Sequence, residues 1–124
     1  KMGVLKKTQF LLPGRLQTIY SKHPKFEILT PGGGEIFKKG SRIHIFWEGG
    51  PPVPQSIRLW LVDETINKII ETALPDPYYN NSEIGNYAWT IPKPFKIETA
   101  HNFQIYIEDE FRKTWTYGQT FKIV

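Results

Sequence analysis

The sequence predicts an all-β domain, a seven-stranded antiparallel β-sandwich preceded by a basic N-terminal extension. The 124 residues include ten prolines, ten glycines and eighteen aromatic residues, a composition that favours strands and turns over helices. From residue 25 onward, apolar segments with period-two alternation recur at intervals of about 10 to 15 residues, with turn residues between them. This length suffices for one domain with a hydrophobic core and is too short for two.

The first 24 residues differ from the rest of the chain in charge. Residues 1–24 contain five basic and no acidic residues, whereas residues 25–124 contain eleven basic and twelve acidic residues. We therefore divide the chain into a basic leader, residues 1–24, and a domain, residues 25–124. An acid-free leader with apolar patches is typical of a mitochondrial targeting region. An unstructured arm and an arm docked on a partner are the alternatives.

The leader carries two kinds of candidate docking residue, three basic and three apolar. They are Lys6, Lys7, Phe10, Leu11, Leu12 and Arg15. The basic set would hold a phosphate-rich or lipid-rich anionic surface, and that association would weaken with salt. The apolar set would insert into a groove on a protein partner. Because the leader's five charges are spread thinly along it, the sequence favours the protein groove.

The strands of the domain are predicted from alternation and from the turn residues that bound them. They are residues 25–30, 41–48, 56–63, 67–73, 85–91, 102–109 and 114–124. Pro31 and the glycines at 32–34 form a corner after the first strand, and a short extended piece at 35–37 follows. Residues 49–54 connect the second and third strands. Residues 74–77, Leu-Pro-Asp-Pro, are predicted to be a connection before the fifth strand.

Alternation also predicts which side chains face the core. The inward sets are Ile43, Ile45 and Trp47; Ile57, Leu59 and Leu61; Tyr87, Trp89 and Ile91; Phe103, Ile105 and Ile107; and Trp115, Tyr117, Phe121 and Ile123. Trp47 is the predicted central aromatic residue of the core.

Several of these segments follow a recognisable sequence pattern. The matching residues are Pro31, Gly33-Gly34-Glu35, Phe37, Gly40, Ile45-Phe46-Trp47, Ile57 to Leu61, Gly85-Asn86-Tyr87-Ala88-Trp89-Thr90-Ile91-Pro92 and Phe121-Lys122-Ile123. In this order they resemble the Ig-like N-terminal domain of the fungal cell-wall glucan-assembly proteins, a module shared with the Ser/Thr-rich GPI-anchored membrane protein family. The resemblance covers about residues 26–124. It implies an Ig-like sandwich and a secreted or cell-envelope module associated with polysaccharide.

Motifs for catalysis and metal binding are missing from the sequence. With no cysteine, the chain has no disulfide, thiolate nucleophile or cysteine-ligated metal. Its three histidines, His23, His44 and His101, lack the close spacings that often mark metal sites. Acidic residues 108–110 are interpreted as a solvated turn rather than a calcium site. We therefore predict no catalytic residue, no metal, no cofactor and no enzymatic activity. No apolar run is long enough to span a membrane as a helix.

The outward positions of two neighbouring strands predict a contact surface. With Leu59 and Ile105 facing the core, the side chains of Arg58, Trp60, Gln104 and Tyr106 face the other way. In an Ig-like topology these strands are adjacent, so Trp60 and Tyr106 should be neighbours in an aromatic patch. Such a patch suits a protein partner or a sugar ring. The alternative is that the leader or a loop covers it within the same chain.

Two functional hypotheses remain open from the sequence. The first is a non-catalytic interaction module that acts as a structural subunit of a larger assembly, docked partly through its leader, in an organelle such as the mitochondrion. The second is the extracellular or cell-envelope polysaccharide module that the resemblance implies. Asn80 begins an Asn-Asn-Ser sequon and is a candidate glycosylation site if the chain passes through the secretory pathway.

Overall fold

The computed structural model describes residues 21–22, 25–50, 52, 54–66, 68–80, 82, 84–93, 96 and 100–124, with residues 71–79 described by their backbone alone. All six candidate docking residues of the leader lie outside this part of the chain. The described residues form ten strands and no helix. The strands are β1 (Ser21–Lys22), β2 (Phe26–Thr30), β3 (Ile36–Phe37), β4 (Arg42–Gly49), β5 (Gln55–Asp63), β6 (Lys68–Asn80), β7 (Ile84–Thr90), β8 (Phe103–Asp109), β9 (Thr114–Tyr117) and β10 (Lys122–Ile123).

These strands form two facing sheets and a small pair. The larger sheet has the order β1-β9-β8-β5-β6, the smaller one β2-β4-β7, and β10 pairs with β3. The long ladders are antiparallel, whereas the two-residue ladders β1/β9 and β3/β10 are parallel. The predicted all-β sandwich is therefore confirmed, with each of the seven predicted strands represented.

One hydrophobic core fills the space between the two sheets. Its buried members are Phe26, Ile28, Ile43, Ile45, Trp47, Ile57, Leu59, Leu61, Trp89, Ile91, Phe103, Ile105, Ile107, Phe121 and Ile123. Along β4 the core residues Ile43, Ile45 and Trp47 alternate with exposed residues, which is why this segment forms a half-buried strand. Trp47 is fully buried, and Tyr87 packs against the core from a partly buried position. Most of the predicted inward residues are thus confirmed.

Trp47 owes its position to a glycine on the neighbouring strand. Trp47 pairs with Gly85 across the β4/β7 ladder. A Cβ atom built on Gly85 would lie 2.2 Å from Cε2 and Cζ2 of the indole. The ring therefore lies directly on the Gly85 backbone, and a residue with a side chain cannot occupy this position without moving the ring.

The corner before β3 is held by Glu35. Its carboxylate accepts hydrogen bonds from the backbone amides of Gly32, at 2.7 Å, and Gly33, at 2.8 Å. Burial raises the pKa of Glu35, but its hydrogen bonds with backbone amides outweigh burial and hold the pKa below its usual value of 4.5. The amide of Gly34 donates to the carbonyl of Thr120 at 2.9 Å, which ties the corner to the closing segment of the chain.

Two predicted elements differ from the structure. Residues 74–77 are part of β6 rather than a connection. Leu59 pairs with Leu74 and Ile57 with Tyr78, so Pro75, Asp76 and Pro77 lie in a bulge. Prolines are tolerated there because β6 is an edge strand, where an amide donor is not required on the open side.

The predicted strand 114–124 is in fact two strands. β9 belongs to the larger sheet, whereas β10 pairs with β3, and residues 118–121 lie between them. The direction in which the side chains point is therefore set by one ladder in β9 and by another in β10.

Candidate interaction surface

A second apolar layer covers the face of the larger sheet that points away from the core. Its buried members are Trp60, Val62, Tyr106 and Trp115, with Ile69 and Tyr117 packed against them. We call this set the outer aromatic layer. All of its members come from the larger sheet itself, from strands β5, β6, β8 and β9.

The rings of this layer stack in a row across three strands. Trp60 pairs with Tyr106 in the β5/β8 ladder, and Tyr106 with Tyr117 in the β8/β9 ladder. The ring centroids of Trp60 and Tyr106 are 5.5 Å apart, those of Tyr106 and Trp115 5.8 Å, and those of Trp115 and Tyr117 5.7 Å. The prediction that Trp60 and Tyr106 are neighbours on the outward face is confirmed.

The predicted exposure of this patch is wrong. Trp60 retains 8% and Tyr106 2% of its accessible surface, so both side chains are buried. Alternation assigns a side chain to a face of a sheet, but it says nothing of what lies over that face. Whether these residues contact a partner remains a prediction.

Trp115 and Tyr117 belong to this layer and not to the core, contrary to the sequence prediction. Trp115 pairs with Glu108 across the β8/β9 ladder. Directly paired residues share a face of the sheet, and Glu108 alternates with the inward residue Ile107. The register of β9 therefore sends Trp115 and Tyr117 outward.

The polar members of the predicted contact surface flank the rings. The Arg58 guanidinium forms an ion pair with Glu110. Nε2 of Gln104 donates to the carbonyl of Gly118 at 2.9 Å. Glu108 pairs with Arg58 in the β5/β8 ladder and is fully buried. A carboxylate thus lies inside the outer aromatic layer, next to an arginine.

The acidic residues 108–110 lead into a turn, as predicted, but Glu108 and Asp109 are buried rather than solvated. Asp109 is fully buried and accepts hydrogen bonds from the amides of Ser56, at 2.8 Å, and Phe111, at 3.1 Å. Asp63 likewise accepts from the amide of Thr65 and lies 2.7 Å from Nδ1 of His101. Among the residues that the structure describes, no group of three or more potential ligands could hold a metal ion.

Asn80 is a buried structural residue. Its Nδ2 donates to Oε1 of Gln55 at 2.8 Å and to the carbonyl of Ser82 at 2.7 Å, and only 4% of the residue is exposed. A glycan on Nδ2 would remove a donor hydrogen and would need space that the folded domain does not provide. The geometry therefore argues against the sequon as a modification site in the folded domain.

The smaller sheet offers an open face on the other side of the sandwich. The rings of His44 and Phe46 stack there with centroids 6.5 Å apart and planes 16° from parallel. Phe46 is 37% exposed and pairs with Asn86, whose side chain is also exposed. Sequence reasoning missed this pair, although the outward facing of both rings followed from the alternation of β4.

A cleft of about 270 Å³ opens between β2 and residues 116–119. Its lining includes Glu27 and Tyr117. Burial, and secondarily the nearby charge of Glu64, raises the pKa of Tyr117. The described part of the chain has no helix long and apolar enough to cross a membrane.

Two sheets pack around one core, and the short ladders β1/β9 and β3/β10 are parallel. This arrangement is an Ig-like β-sandwich. The chain matches the sequence model of the Kre9/KNH-like N-terminal Ig-like domain over residues 30–123. It therefore belongs to this family, as the pattern from Pro31 to Ile123 predicted.

The chain was also compared with curated proteins and solved structures. No curated protein matches it. Among solved structures, the fibronectin(III)-like modules of Clostridium thermocellum CbhA are similar at 16% identity and a TM-score of 0.41. That match covers 79% of this chain and 93% of the module. A similarity at this level supports no functional comparison.

Proposed function

We propose that this domain is a non-catalytic interaction module that serves as a structural subunit of a larger assembly. The outer aromatic layer is the observation that carries the proposal. A sandwich needs one core between its sheets, and this chain builds a second apolar layer outside it. Trp, Tyr and Arg supply most of the binding energy at protein interfaces. A face made from these residues suits contact with a further polypeptide segment.

Four residues are the proposed contact residues of this face: Arg58, Trp60, Gln104 and Tyr106. Trp60 and Tyr106 lie at its centre, and because both are buried, a partner would have to replace what now covers them. Arg58 and Gln104 lie on either side, and both are held by hydrogen bonds within the domain, which lowers the entropy cost of contact. The candidate docking residues of the leader are the proposed second attachment. An Ig-like fold and membership of the Kre9/KNH-like family both support a module of this non-catalytic kind.

The test compares single variants of the full chain in its native assembly. Trp60→Ala and Tyr106→Ala should shift the chain from a high-mass complex to a smaller species on native gels. Phe46→Ala, an aromatic exchange on the open face of the smaller sheet, is the matched control and should leave the complex intact. Far-UV circular dichroism establishes that each variant is folded.

Two results would contradict the proposal. One is a wild-type chain that migrates at the mass of a free monomer in extracts of its source. The other is a folded Trp60→Ala chain that remains in the complex as completely as the Phe46→Ala chain.

A polysaccharide-associated module of the cell envelope is the second candidate. The open His44 and Phe46 rings favour it, because exposed aromatic faces beside an amide such as Asn86 can stack on and hydrogen-bond to a sugar. Co-sedimentation with insoluble β-glucan should then be lost in Phe46→Ala and retained in Ile36→Ala, an exchange of another exposed apolar side chain. Equal retention of both variants, or no binding by the wild type, would exclude this candidate.

A further inference from the structure

The cleft beside β2 runs along an open edge of the smaller sheet. Its walls are β2 and residues 116–119, and its volume is about 270 Å³. Among the described strands, β2 pairs with β4 on one side and is the edge strand of its sheet. None of the four proposed contact residues of the outer aromatic layer lines the cleft. The cleft is therefore a separate feature of the domain.

The register of the β2/β4 ladder shows which backbone groups point toward this edge. Phe26 pairs with Gly49. The amide of Gly50 donates to the carbonyl of Lys25 at 2.9 Å. In an antiparallel ladder, a bond between the residues that flank a pair marks that pair as non-hydrogen-bonded, and the pairs alternate from there. The amides and carbonyls of Phe26 and Ile28 therefore point away from β4, toward the open edge.

The ladder on the other side of β4 leads to the same assignment. The amide of Ile91 donates to the carbonyl of Ser41 at 2.9 Å, and these residues flank the first pair of the β4/β7 ladder. Counting from this bond, the odd-numbered residues of β4 bond to β7 and the even-numbered residues bond to β2. Glu48 is even-numbered and pairs with Glu27. Glu27 thus uses its amide and carbonyl within the ladder, which agrees with the opposite direction of its two neighbours.

The opposite wall of the cleft also turns backbone groups away from its own ladder. Tyr117 pairs with Tyr106. The amide of Gly118 donates to the carbonyl of Ile105 at 2.9 Å, so the amide and carbonyl of Tyr117 point away from β8. In the described part of the chain, β1 pairs with residues 114 and 115 and ends before this point. Backbone donors and acceptors are therefore directed outward on both walls.

The walls limit what can reach these groups. A Cβ atom built on Gly118 would lie 3.1 Å from Cγ2 of Ile28, so the two walls are in contact at the base of the cleft. The amide of Gly34 donates to the carbonyl of Thr120 at 2.9 Å, which closes one end. A second folded copy could not bring the edge of its own sheet between these walls. A single extended segment needs only one strand spacing, about 4.8 Å, and residues 26–29 offer it a length of about 13 Å.

The charge of the cleft indicates the chemistry of that segment. Of the described residues that line it, Glu27 alone is charged. Glu27 is exposed and lies directly opposite Glu48, which places two like charges side by side on the sheet. Neither carboxylate forms an ion pair with another residue that the structure describes. Like charges that face each other across a ladder destabilise it, and a cation on an added strand would offset this.

We propose that the cleft binds an extended, cationic polypeptide segment of a partner protein, which adds to β2 as a fourth strand of the smaller sheet. The backbone of the segment bonds to the amides and carbonyls of Phe26 and Ile28, the mode in which peptides extend a sheet edge. A lysine or arginine of the segment lies opposite Glu27. Because side chains alternate along a strand, the residues before and after this cation face between the two sheets and are apolar.

The test titrates the full chain with one defined probe, the acetylated and amidated pentapeptide Thr-Val-Lys-Val-Thr. Binding should shift the NMR signals of residues 26–29 and 116–119. Glu27→Lys should weaken binding about tenfold, because an attractive cross-strand pair becomes a repulsive one. A peptide with glutamate in place of its lysine should recover affinity for that variant. Asn86→Lys also adds a positive charge at an exposed position, on the far edge strand of the same sheet, and this matched control should bind as the wild type does.

Amide hydrogen exchange tests the backbone geometry without a mutation. In the free chain, the amides of Phe26 and Ile28 should exchange faster than the amide of Glu27. Saturating peptide should slow both. A peptide methylated at its three central amide nitrogens cannot donate to β2 and should not bind.

Three outcomes would overturn the inference. Equal protection of the Phe26, Glu27 and Ile28 amides in the free chain would show that the edge is already covered. Signal shifts at the cleft that depend on protein concentration, without peptide, would assign it to a second copy. No response to millimolar peptide, or a response that survives both Glu27→Lys and methylation, would show that the cleft does not bind a strand. A folded Trp60→Ala chain should bind the peptide as the wild type does, so this inference and the proposed assembly role can fail separately.

Discussion

Replacing Gly85 with alanine tests the packing at the centre of the core. The new Cβ atom would lie 2.2 Å from two indole carbons of Trp47 and 2.4 Å from its Nε1. Carbon atoms in contact lie about 3.5–4.0 Å apart, so the ring would have to move by more than about 1 Å. Trp47 is fully buried, and β4 is paired with both β2 and β7, so the strand cannot withdraw.

The cost of Gly85→Ala should be near the upper end of the overpacking range, about 3 kcal/mol. For a domain of this size, 1 kcal/mol changes the melting temperature by roughly 4–8 °C, so the melting temperature should fall by roughly 12–24 °C. Gly32→Ala is the matched control. Its Cβ would meet its nearest neighbour, the Leu29 carbonyl oxygen, at 3.4 Å, and it should change stability little.

A double-mutant cycle identifies the ring as the cause. Trp47→Phe shrinks the side chain, so Gly85→Ala should cost less in that background. Trp47→Ala alone should cost about 3–5 kcal/mol, as for other buried aromatic residues. Urea unfolding followed by circular dichroism measures all of these. Equal stability of the Gly85→Ala and Gly32→Ala chains, or an equal cost of Gly85→Ala in both Trp47 backgrounds, would refute the close contact.

Three further predictions concern the rest of the molecule. Asn80→Ala removes a donor from the buried Oε1 of Gln55 and should cost about 1–3 kcal/mol in urea unfolding; folded chain from a secretory host should carry no glycan at Asn80 by mass spectrometry. Because the pKa of Glu35 is lowered, Glu35→Gln should reduce stability at neutral pH, and the difference should fade as the pH drops below 4.5 and through the folded pKa; a constant difference from neutral to acidic pH would contradict this. If Phe10, Leu11 and Leu12 attach the leader to a protein partner, a binding titration should give the same affinity in low and high salt, whereas attachment through the basic residues to an anionic surface would weaken with salt.

Much of the sandwich could be predicted because the apolar residues that alternate along its strands are the residues that the core buries. In β4, Ile43, Ile45 and Trp47 face the core, and the intervening residues face solvent. The turn chemistry of the corner at Pro31 was equally readable, since its glycines and proline permit few other conformations. The family assignment followed from these same residues.

The contact surface was less predictable, because its properties depend on more than one strand. The adjacency of Trp60 and Tyr106 follows from topology and was predicted correctly. Their burial was missed, since alternation contains no information on what covers a face. Trp115 was assigned to the wrong side because its facing is set by its pairing with Glu108, which the β9 sequence does not specify.

The hydrogen-bonding role of Asn80 was hidden for a similar reason. Its partner Gln55 is 25 residues away in sequence and meets it only through the β5/β6 ladder. A sequon is a local pattern, whereas the burial of its asparagine is a property of the folded ladder. Local patterns therefore predicted this residue's chemistry but not its accessibility.

The two edges of the larger sheet bear on how the domain behaves at high concentration. One edge is closed by β1, which is only two residues long, and the other by β6, whose bulge contains Pro75 and Pro77. An exposed strand is a template for pairing with another chain, and short strands, bulges and prolines all disrupt that template. Both edges of the larger sheet are therefore poor templates for pairing with another molecule. At high concentration, copies of the domain should have little tendency to join into a continuous intermolecular sheet.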